Sequence, residues 1–292
     1  MQSNEAPAAP PSMAGRVCLV TGATNGIGLE ACKALAQQGA TLVMVGRDAA
    51  RGEAALQQVR AGAPQASVEL LLADLSKQQD VRRLAQQFQA RHAQLHVLLN
   101  NAGVILEQRQ VTEDGLEATF ATNHLAYFLL TKLLLPTLLQ SGSARVVNVA
   151  SEAHRRARLD LEDLQSERGY SGWRAYSNSK LANILFTLSL AQRLRGTQVT
   201  ANSLHPGVVS SGFALNNTGL TARFYKLFAP LLTTSEKGAE TSVYLASSPE
   251  VEGVSGEYFK RCRRARPSRA AQDAALAEKL WVKSAQLTAV AP

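Results

Sequence analysis

"RVCLVTGATNGIGLEACKALAQQG", residues 16–39, changes character twice. "RVCLVT" (16–21) is, after Arg16, an unbroken apolar and β-branched run of strand length. "TGATNGIG" (21–28) then puts Gly22, Gly26 and Gly28 into eight residues. "IGLEACKALAQQG" (27–39) takes up helical spacing and ends at Gly39, a residue type suited to a helix C-terminus. Strand, glycine turn and helix together form the setting of a dinucleotide loop. Glycines let the backbone turn tightly and approach a pyrophosphate, whose charge meets the free N–H groups of the helix N-terminus. The spacing differs from the common G-x-G-x-x-G, and a plain strand-to-helix turn is the alternative reading. Three glycines at that junction favour the nucleotide.

The same rhythm continues along the chain. Further strands are predicted at "TLVMVG" (41–46), "SVELLLAD" (67–74), "HVLLNNAG" (96–103), "ARVVNVAS" (144–151) and "TQVTANSLHPG" (197–207). Helices are predicted at "AARGEAALQQVRAG" (49–62), at 76–92 with Ser76 as N-cap, over roughly 112–140 with a bend before Pro136, and at 173–196. Strands that are apolar on both faces and separated by helices imply a parallel sheet covered on both sides. The expected fold is therefore α/β: a single doubly wound Rossmann-type domain with a central parallel sheet of about seven strands and helices on both faces. Residues 1–14 read as a disordered Ala/Pro/Ser leader, 15–260 as the Rossmann-type domain, and 261–292 as a basic, partly helical C-terminal extension. After Pro206 the rhythm breaks across 208–235; a helix resumes near Glu236, and "SGEYF" (255–259) adds a last strand.

Composition narrows the function. Hydrophobic residues make up 46%, ample for a core, and no apolar run is long and charge-free enough to span a bilayer. The start of the chain has no basic cluster followed by an apolar stretch, so no secretory signal is expected. The 3 cysteines, Cys18, Cys32 and Cys262, are scattered, odd in number and in no metal spacing. No metal is expected, Cys18 and Cys32 read as small core residues, and a reduced, cytoplasmic setting fits best. The net charge of +8 is mostly local: "KRCRRARPSR" (260–269) holds six basic side chains, and the rest of the chain has 25 basic against 23 acidic residues. A solvated surface segment is the leading reading of that run, and a contact with anionic lipid or an acidic partner is the other. No zinc knuckle, helix-turn-helix or aromatic-interleaved basic groove appears, so nucleic acid is not an expected partner.

Ligands of such sheets bind beyond the carboxyl ends of the strands. "NNAG" (100–103) and "AD" (73–74) end strands four and three on the same rim as the glycine loop. Asn101 or Asp74 alone would read as a turn residue, and together they favour a nucleotide. Strand two ends "MVGRD" (44–48), with Gly46 where an NAD-using sheet places an acid, then Arg47, then Asp48. Arginine suits a 2′-phosphate. Asp48 reads as the N-cap of the next helix, although a strand one residue longer would make it the ribose ligand. In "AYSNSK" (175–180), Tyr176 and Lys180 share a helix face, which alone would be an ordinary surface pair.

These elements occur together in a recognisable order. The "TGATNGIG" loop, "NNAG", Asn123 in "ATNHLAYF", Ser151 in "VVNVAS", "YSNSK" and "HPG" resemble, in order and approximate spacing, the short-chain dehydrogenase/reductases over residues 15–260. The chain is most similar to the retinol dehydrogenase branch, through "SEAH", the long 151–173 segment, "YSNSKLANILFT" and "SGEYFKRC". It is expected to differ from membrane-bound retinol dehydrogenases in having no N-terminal hydrophobic anchor.

The resemblance implies an enzyme that moves a hydride between NADP(H) and an alcohol/carbonyl pair. Such a step needs a proton donor at the carbonyl oxygen. A free tyrosine titrates near 10, so a neighbouring ammonium and the oxidised nicotinamide must favour its phenolate. The implied catalytic set is Tyr176 as acid/base, Lys180 as its tuner and ribose ligand, Ser151 on the substrate oxygen, and Asn123 anchoring a water relay to Lys180. The implied cofactor contacts are Gly22, Thr24, Asn25, Gly26, Ile27, Gly28, Arg47, Asp74, Asn100, Ala102, Gly103, Pro206, Gly207, Val209 and Ser211, with Tyr176 and Lys180. His205 reads as structural or cofactor-flanking and His154 as lining the substrate mouth, both bystanders to proton transfer. The apolar 208–235 segment, with Phe213, Leu215, Phe224 and Phe228, reads as a lid. Leu159, Leu161, Leu164 and Trp173 read as the opposite wall, and together they favour a lipophilic aldehyde, ketone or alcohol. A non-catalytic NADP-binding regulatory protein on the same fold is the alternative, against which the complete set of four residues speaks. Relatives are often dimers or tetramers, joined through the helices that carry Asn123 and Tyr176.

Overall fold

In a computed structural model, describing residues 12–207 and 234–291, the alternating pattern forms one eight-stranded sheet of order β3-β2-β1-β4-β5-β6-β7-β8. Its strands are β1 (Val17–Thr21), β2 (Thr41–Gly46), β3 (Val68–Leu72), β4 (Val97–Asn100), β5 (Ala144–Val149), β6 (Val199–His205), β7 (Tyr258–Lys260) and β8 (Arg263–Arg264). All pairings are parallel except β7 with β8. The helices are α1 (Gly26–Gln37), α2 (Ala49–Gly62), α3 (Gln78–Arg91), α4 (Ala118–Phe120), α5 (Ala126–Gln140), α6 (Gly172–Arg193), α7 (Ser235–Ser247) and α8 (Ala274–Leu287).

Successive side chains of a strand point to opposite faces, so each central strand feeds two cores. Cys18, Val20, Leu42, Met44, Leu99 and Val147 pack with α1, α2 and α7 on one side. Leu19, Val43, Val45, Leu98 and Val146 pack with α3, α5, α6 and α8 on the other. This two-sided burial is why the strands read as continuous apolar runs. Cys18 and Cys32 are buried in the first of these cores. β2 and β4 flank β1, so the strand order reverses at the carboxyl end of β1, where such sheets open a crevice.

Several elements depart from expectation. The sheet gains an eighth, antiparallel strand inside the basic run, and the last parallel strand covers 258–260. The long helix begins at Ala118, not near 112. Gly115 turns the chain at φ +75°, and the Glu117 carboxylate caps the new start by accepting from Thr119 N (2.8 Å) and Phe120 N (2.7 Å). Between α4 and α5 the backbone makes a π-helical turn, Ala121–Leu125, and Pro136 lies within α5. Ser76 is not the N-cap of α3. Its hydroxyl donates to Asp74 Oδ1 (2.8 Å), while Asp114 Oδ2 accepts from Gln78 N at the helix start (2.9 Å). At the other end of the chain, Trp281 on α8 packs against Phe128 and Phe186 (centroids 4.9 and 5.8 Å). Met13, within the expected leader, is buried and donates its N–H to Gln38 O (2.8 Å).

Candidate active site

The glycine loop leaves β1 at Thr21 and enters α1 at Gly26, with Gly22 and Gly26 in left-handed backbone at φ +65° and +52°. A Cβ on Gly22 would lie 2.8 Å from the Ala102 Cα, and one on Gly28 would collide with the Gly22 carbonyl and the Asn101 amide. Asn25, the N-cap residue of α1, makes no side-chain cap bond, and no acid sits in the first turn. The helix therefore starts with uncapped N–H groups facing a backbone cradle that only glycine permits. The residues fit a pyrophosphate.

The β4 loop closes against this cradle. Thr21 Oγ1 accepts from Asn101 N (2.9 Å) and Ala102 N (3.1 Å). Asn101 Nδ2 donates to the Thr21 carbonyl (2.9 Å) and the Gly22 carbonyl (3.2 Å). Tyr127 holds the other side, donating its hydroxyl proton to Ala102 O (2.7 Å). Ala102 thus lies directly beside the glycine turn, and Gly103 follows it in the loop.

Next to β4 in the sheet, β5 ends at Val149, and Ser151 caps a 3-10 turn (Glu152–Arg156), its Oγ accepting from Ala153 N (3.2 Å). α6 packs against this turn and brings Tyr176 and Lys180 to the same strand end. Lys180 is 3% exposed; its Nζ donates to the Val149 carbonyl (3.0 Å) and lies 5.6 Å from the Tyr176 ring centroid and 5.8 Å from that of Tyr127. Burial pulls the lysine down to a pKa of about 7. Trp173, one helical turn earlier and 48% exposed, sits 5.9 Å from the Tyr176 ring.

Asn123 occupies the π-helical turn and ties two parts of the site together. Its side chain accepts from Val104 N (2.8 Å) and donates to Val104 O (2.9 Å) and Ser179 Oγ (3.0 Å), and Ser179 Oγ donates to Tyr176 O (2.7 Å). The link to Lys180 runs through Asn183. Its Nδ2 donates to Asn123 O (2.9 Å) and to the same Val149 carbonyl (3.3 Å) that Lys180 uses. Asn183 Oδ1 is then the acceptor that faces His124 Nδ1 (3.2 Å), so the ring carries its proton on Nδ1 and Nε2 accepts from Ser284 Oγ (2.9 Å). Burial keeps His124 neutral by lowering its pKa to about 4.

The family model for short chain dehydrogenases matches residues 16–219, more than half of the chain. The chain belongs to the short-chain dehydrogenase family. It is 42% identical over 276 residues to retinol dehydrogenase 12 of Mus musculus and of Homo sapiens, covering 94% of this chain and 87% of each relative. It is 39% identical over 287 residues to polyprenol dehydrogenase of Homo sapiens, covering 96% and 87%. Among solved structures, an uncharacterised protein from Mycobacterium paratuberculosis superposes with a TM-score of 0.78 at 36% identity over 97% of both chains. A chain described as an NAD(P)-dependent gluconate 5-dehydrogenase from Beutenbergia cavernae with bound NADP gives 0.70 at 27% identity, over 87% of this chain and 97% of that one.

In this short-chain dehydrogenase the remaining expected residues fall into three groups. Thr24 lies in the turn after β1, Ile27 in the first turn of α1, and Pro206 and Gly207 directly after β6, while Val209 and Ser211 lie outside the described residues, as do Phe213, Leu215, Phe224 and Phe228. Arg47 is exposed directly after β2, and Asp48 caps α2, its Oδ1 accepting from Arg51 N (2.8 Å) and its Oδ2 meeting Arg51 Nη2 (3.4 Å). Asp74 sits past β3 with Oδ1 held by Ser76 N (3.0 Å). Other expectations need correction. Asn100 turns its side chain into the core, donating to Thr131 Oγ1 (3.1 Å) and Asn148 Oδ1 (2.9 Å), and Asn101 takes the loop-facing place. His154 does not line an opening: it is buried, with Nδ1 on Ser151 O (2.6 Å) and Nε2 accepting from Ser268 N (3.0 Å). His205, by contrast, agrees with the structural reading: its Nδ1 accepts from Glu152 N (3.3 Å). Of the expected wall, Leu164 is buried and Leu159 and Leu161 pack against its cluster, leaving Trp173 exposed.

Glu152 was not singled out in the sequence. Its carboxylate receives Tyr258 OH (2.9 Å), Arg155 Nε (3.1 Å) and Lys260 Nζ (3.3 Å), and these donors outweigh partial burial to hold its pKa near 2. Asn183 and Thr21 were also missed. For Asn183 a signal existed: an asparagine inside an apolar helix, three residues after Lys180, where asparagine is a poor helix former.

Proposed function

We propose that this dehydrogenase transfers a hydride between NADP(H) and the alcohol/carbonyl pair of a lipophilic substrate, with Tyr176 as acid/base. The observation that carries the reading is Lys180: fully buried beneath the Tyr176 ring, with its ammonium directed at the strand end from which Ser151 follows. A buried lysine is retained against its desolvation only where something uses its charge. When nicotinamide is bound, it supplies or accepts the hydride. The glycine cradle and the α1 N-terminus would hold the pyrophosphate, and Lys180 the adjoining ribose. In reduction, the Tyr176 hydroxyl gives its proton to the developing alkoxide, which Ser151 Oγ orients by a hydrogen bond. The resulting phenolate stands against Lys180, whose protonation it favours, so the two groups titrate as a pair. In oxidation the same proton returns.

The NADP(H) preference rests on strand two. Both Asp48 oxygens are engaged by Arg51, and Arg47 stands exposed directly after the strand. The lipophilic substrate rests on exposed Trp173 beside Tyr176 and on relatives named for retinol and polyprenol, both long apolar alcohols. The test is a set of steady-state rates with NADPH and NADH over a homologous series of straight-chain aldehydes. Each buried methylene contributes about 0.8 kcal/mol, so kcat/KM should climb about fourfold per carbon until the pocket is filled. Equal use of the two cofactors would overturn the NADP(H) reading, and a flat or falling series the lipophilic one.

A further inference from the structure

Six of the basic side chains behind the +8 charge lie within residues 260–269. The structure folds this run into a hairpin, with Phe259 opposite Arg264 and Lys260 opposite Arg263. Its two turn residues, Arg261 and Cys262, both adopt left-handed backbone, at φ +51° and +57°. Such a turn ordinarily calls for Asn-Gly, and strained backbone of this kind persists where the surroundings enforce it. Here they do: Cys262 N donates to Thr241 Oγ1 on α7 (3.2 Å), and Ala265 N donates to Tyr258 O (2.8 Å).

The charges are displayed, not neutralised. Arg261, Arg263, Arg264, Arg266 and Arg269 are exposed, and among the described residues none of the five forms an ion pair. Lys260 alone of the run is paired, to Glu152. Arg155 donates to the Arg266 carbonyl (2.7 Å), which sets the run against the turn that follows Ser151 and so beside the candidate site. Cations on an edge strand also deter sheet extension. That need is small for a strand of two residues, and Arg266 and Arg269 lie beyond it. The run contains no aromatic residue on which bases could stack, so a phosphate-rich surface without bases suits it better than single-stranded RNA.

We propose that the 260–269 hairpin docks the protein on an anionic membrane surface. The docking stands apart from catalysis. Its use, presenting the Tyr176 rim to a substrate dissolved in the bilayer, rests on the lipophilic reading above. Each arginine near an anionic leaflet contributes about fivefold to partitioning, equivalent to about 1 kcal/mol. Replacing Arg263, Arg264 and Arg266 by glutamine should therefore weaken binding roughly a hundredfold.

The experiment is co-sedimentation of the full chain with vesicles of phosphatidylcholine alone or containing roughly a third phosphatidylserine, at low and physiological salt. The supporting result is binding to the anionic vesicles only, weakened by salt and by the Arg263→Gln/Arg264→Gln/Arg266→Gln variant. An equal-charge control, Arg83→Gln/Arg91→Gln/Arg195→Gln, should bind as the wild type does. No binding at low salt, an equal loss in the control, or tighter capture by single-stranded RNA than by anionic vesicles would overturn the proposal. So would a triple variant that aggregates while keeping full vesicle affinity, since the arginines would then be guarding the sheet edge. The assay reads no turnover, so its failure leaves the catalytic reading untouched.

Discussion

Replacing Lys180 by methionine should abolish activity and yet make the protein more stable at neutral pH. Lys180 is fully buried, and desolvation moves it from an ordinary value of 10.5 to about 7. A shift of that size corresponds to about 5 kcal/mol, against which the loss of one hydrogen bond counts about 1 kcal/mol. The Val149 carbonyl keeps its Asn183 donor at 3.3 Å, so no buried acceptor is orphaned. The pH dependence has a definite sign. Below pH 7 the lysine holds its proton in both the folded and the unfolded chain, and the wild type bears the full cost of a buried ammonium. Between pH 7 and about 10 the folded lysine has lost its proton while the unfolded one keeps it, so wild-type stability rises with pH. Methionine carries no such slope. Urea midpoints should show Lys180→Met ahead by about 3–4 kcal/mol at pH 7, with the gap narrowing by about 2 kcal/mol at pH 9. A variant less stable than the wild type at pH 7, or a gap that does not change with pH, would refute the account.

Two further substitutions separate binding from chemistry. Tyr176→Phe removes only a hydroxyl, so kcat should fall by about 10²–10⁴ while the NADPH dissociation constant changes little; retained turnover would remove Tyr176 from the acid/base role. Gly28→Ala drives a methyl group into the Gly22 carbonyl, a backbone atom that cannot swing away, whereas Gly62→Ala meets nothing closer than 3.7 Å. Fluorescence titration should therefore show more than a tenfold loss of NADPH affinity for the first and none for the second.

What the sequence discloses here is local or periodic. The strand ends, the glycine turn and the Tyr176–Lys180 spacing need only neighbours within one element to be read. Asp48 could be assigned to the α2 cap because its partner, Arg51, is three residues away. Ser76 misled because the residue that caps the start of α3, Asp114, is 36 positions downstream of Gln78. Asn100 and Asn101 are adjacent asparagines at one strand end, and only the pleat decides that the first faces Thr131 and the second the glycine loop. β8 was hidden because its residues are exposed arginines and its turn has neither glycine nor asparagine. Glu152 and His154 depend on partners about 105–115 positions away, across the whole second half of the fold.

The polar chain under the site ends on α8, and this gives Ser284 a consequence that its distance from Tyr176 conceals. Ser284 Oγ donates to His124 Nε2, whose Nδ1 proton goes to Asn183 Oδ1. In Ser284→Ala the imidazole nitrogen is left buried without a donor. Moving the ring proton to Nε2 brings no relief, since that N–H would face no acceptor, and it would also require Asn183 to turn its amide nitrogen toward the histidine. That flip would place the amide oxygen against the carbonyls of Asn123 and Val149, so acceptor would face acceptor at both bonds. The cost therefore stays where it arises, as an unsatisfied ring nitrogen worth about 1–3 kcal/mol of stability. Because Asn183 keeps its orientation, Lys180 keeps its place on Val149 and kcat should stay within a few-fold of wild type. Asn183→Leu, by contrast, removes the group that shares Val149 with Lys180, and should lower both kcat and the urea midpoint. If Ser284→Ala lost activity as deeply as Asn183→Leu while remaining folded, the amide would have turned, and the assigned proton positions on His124 would be wrong.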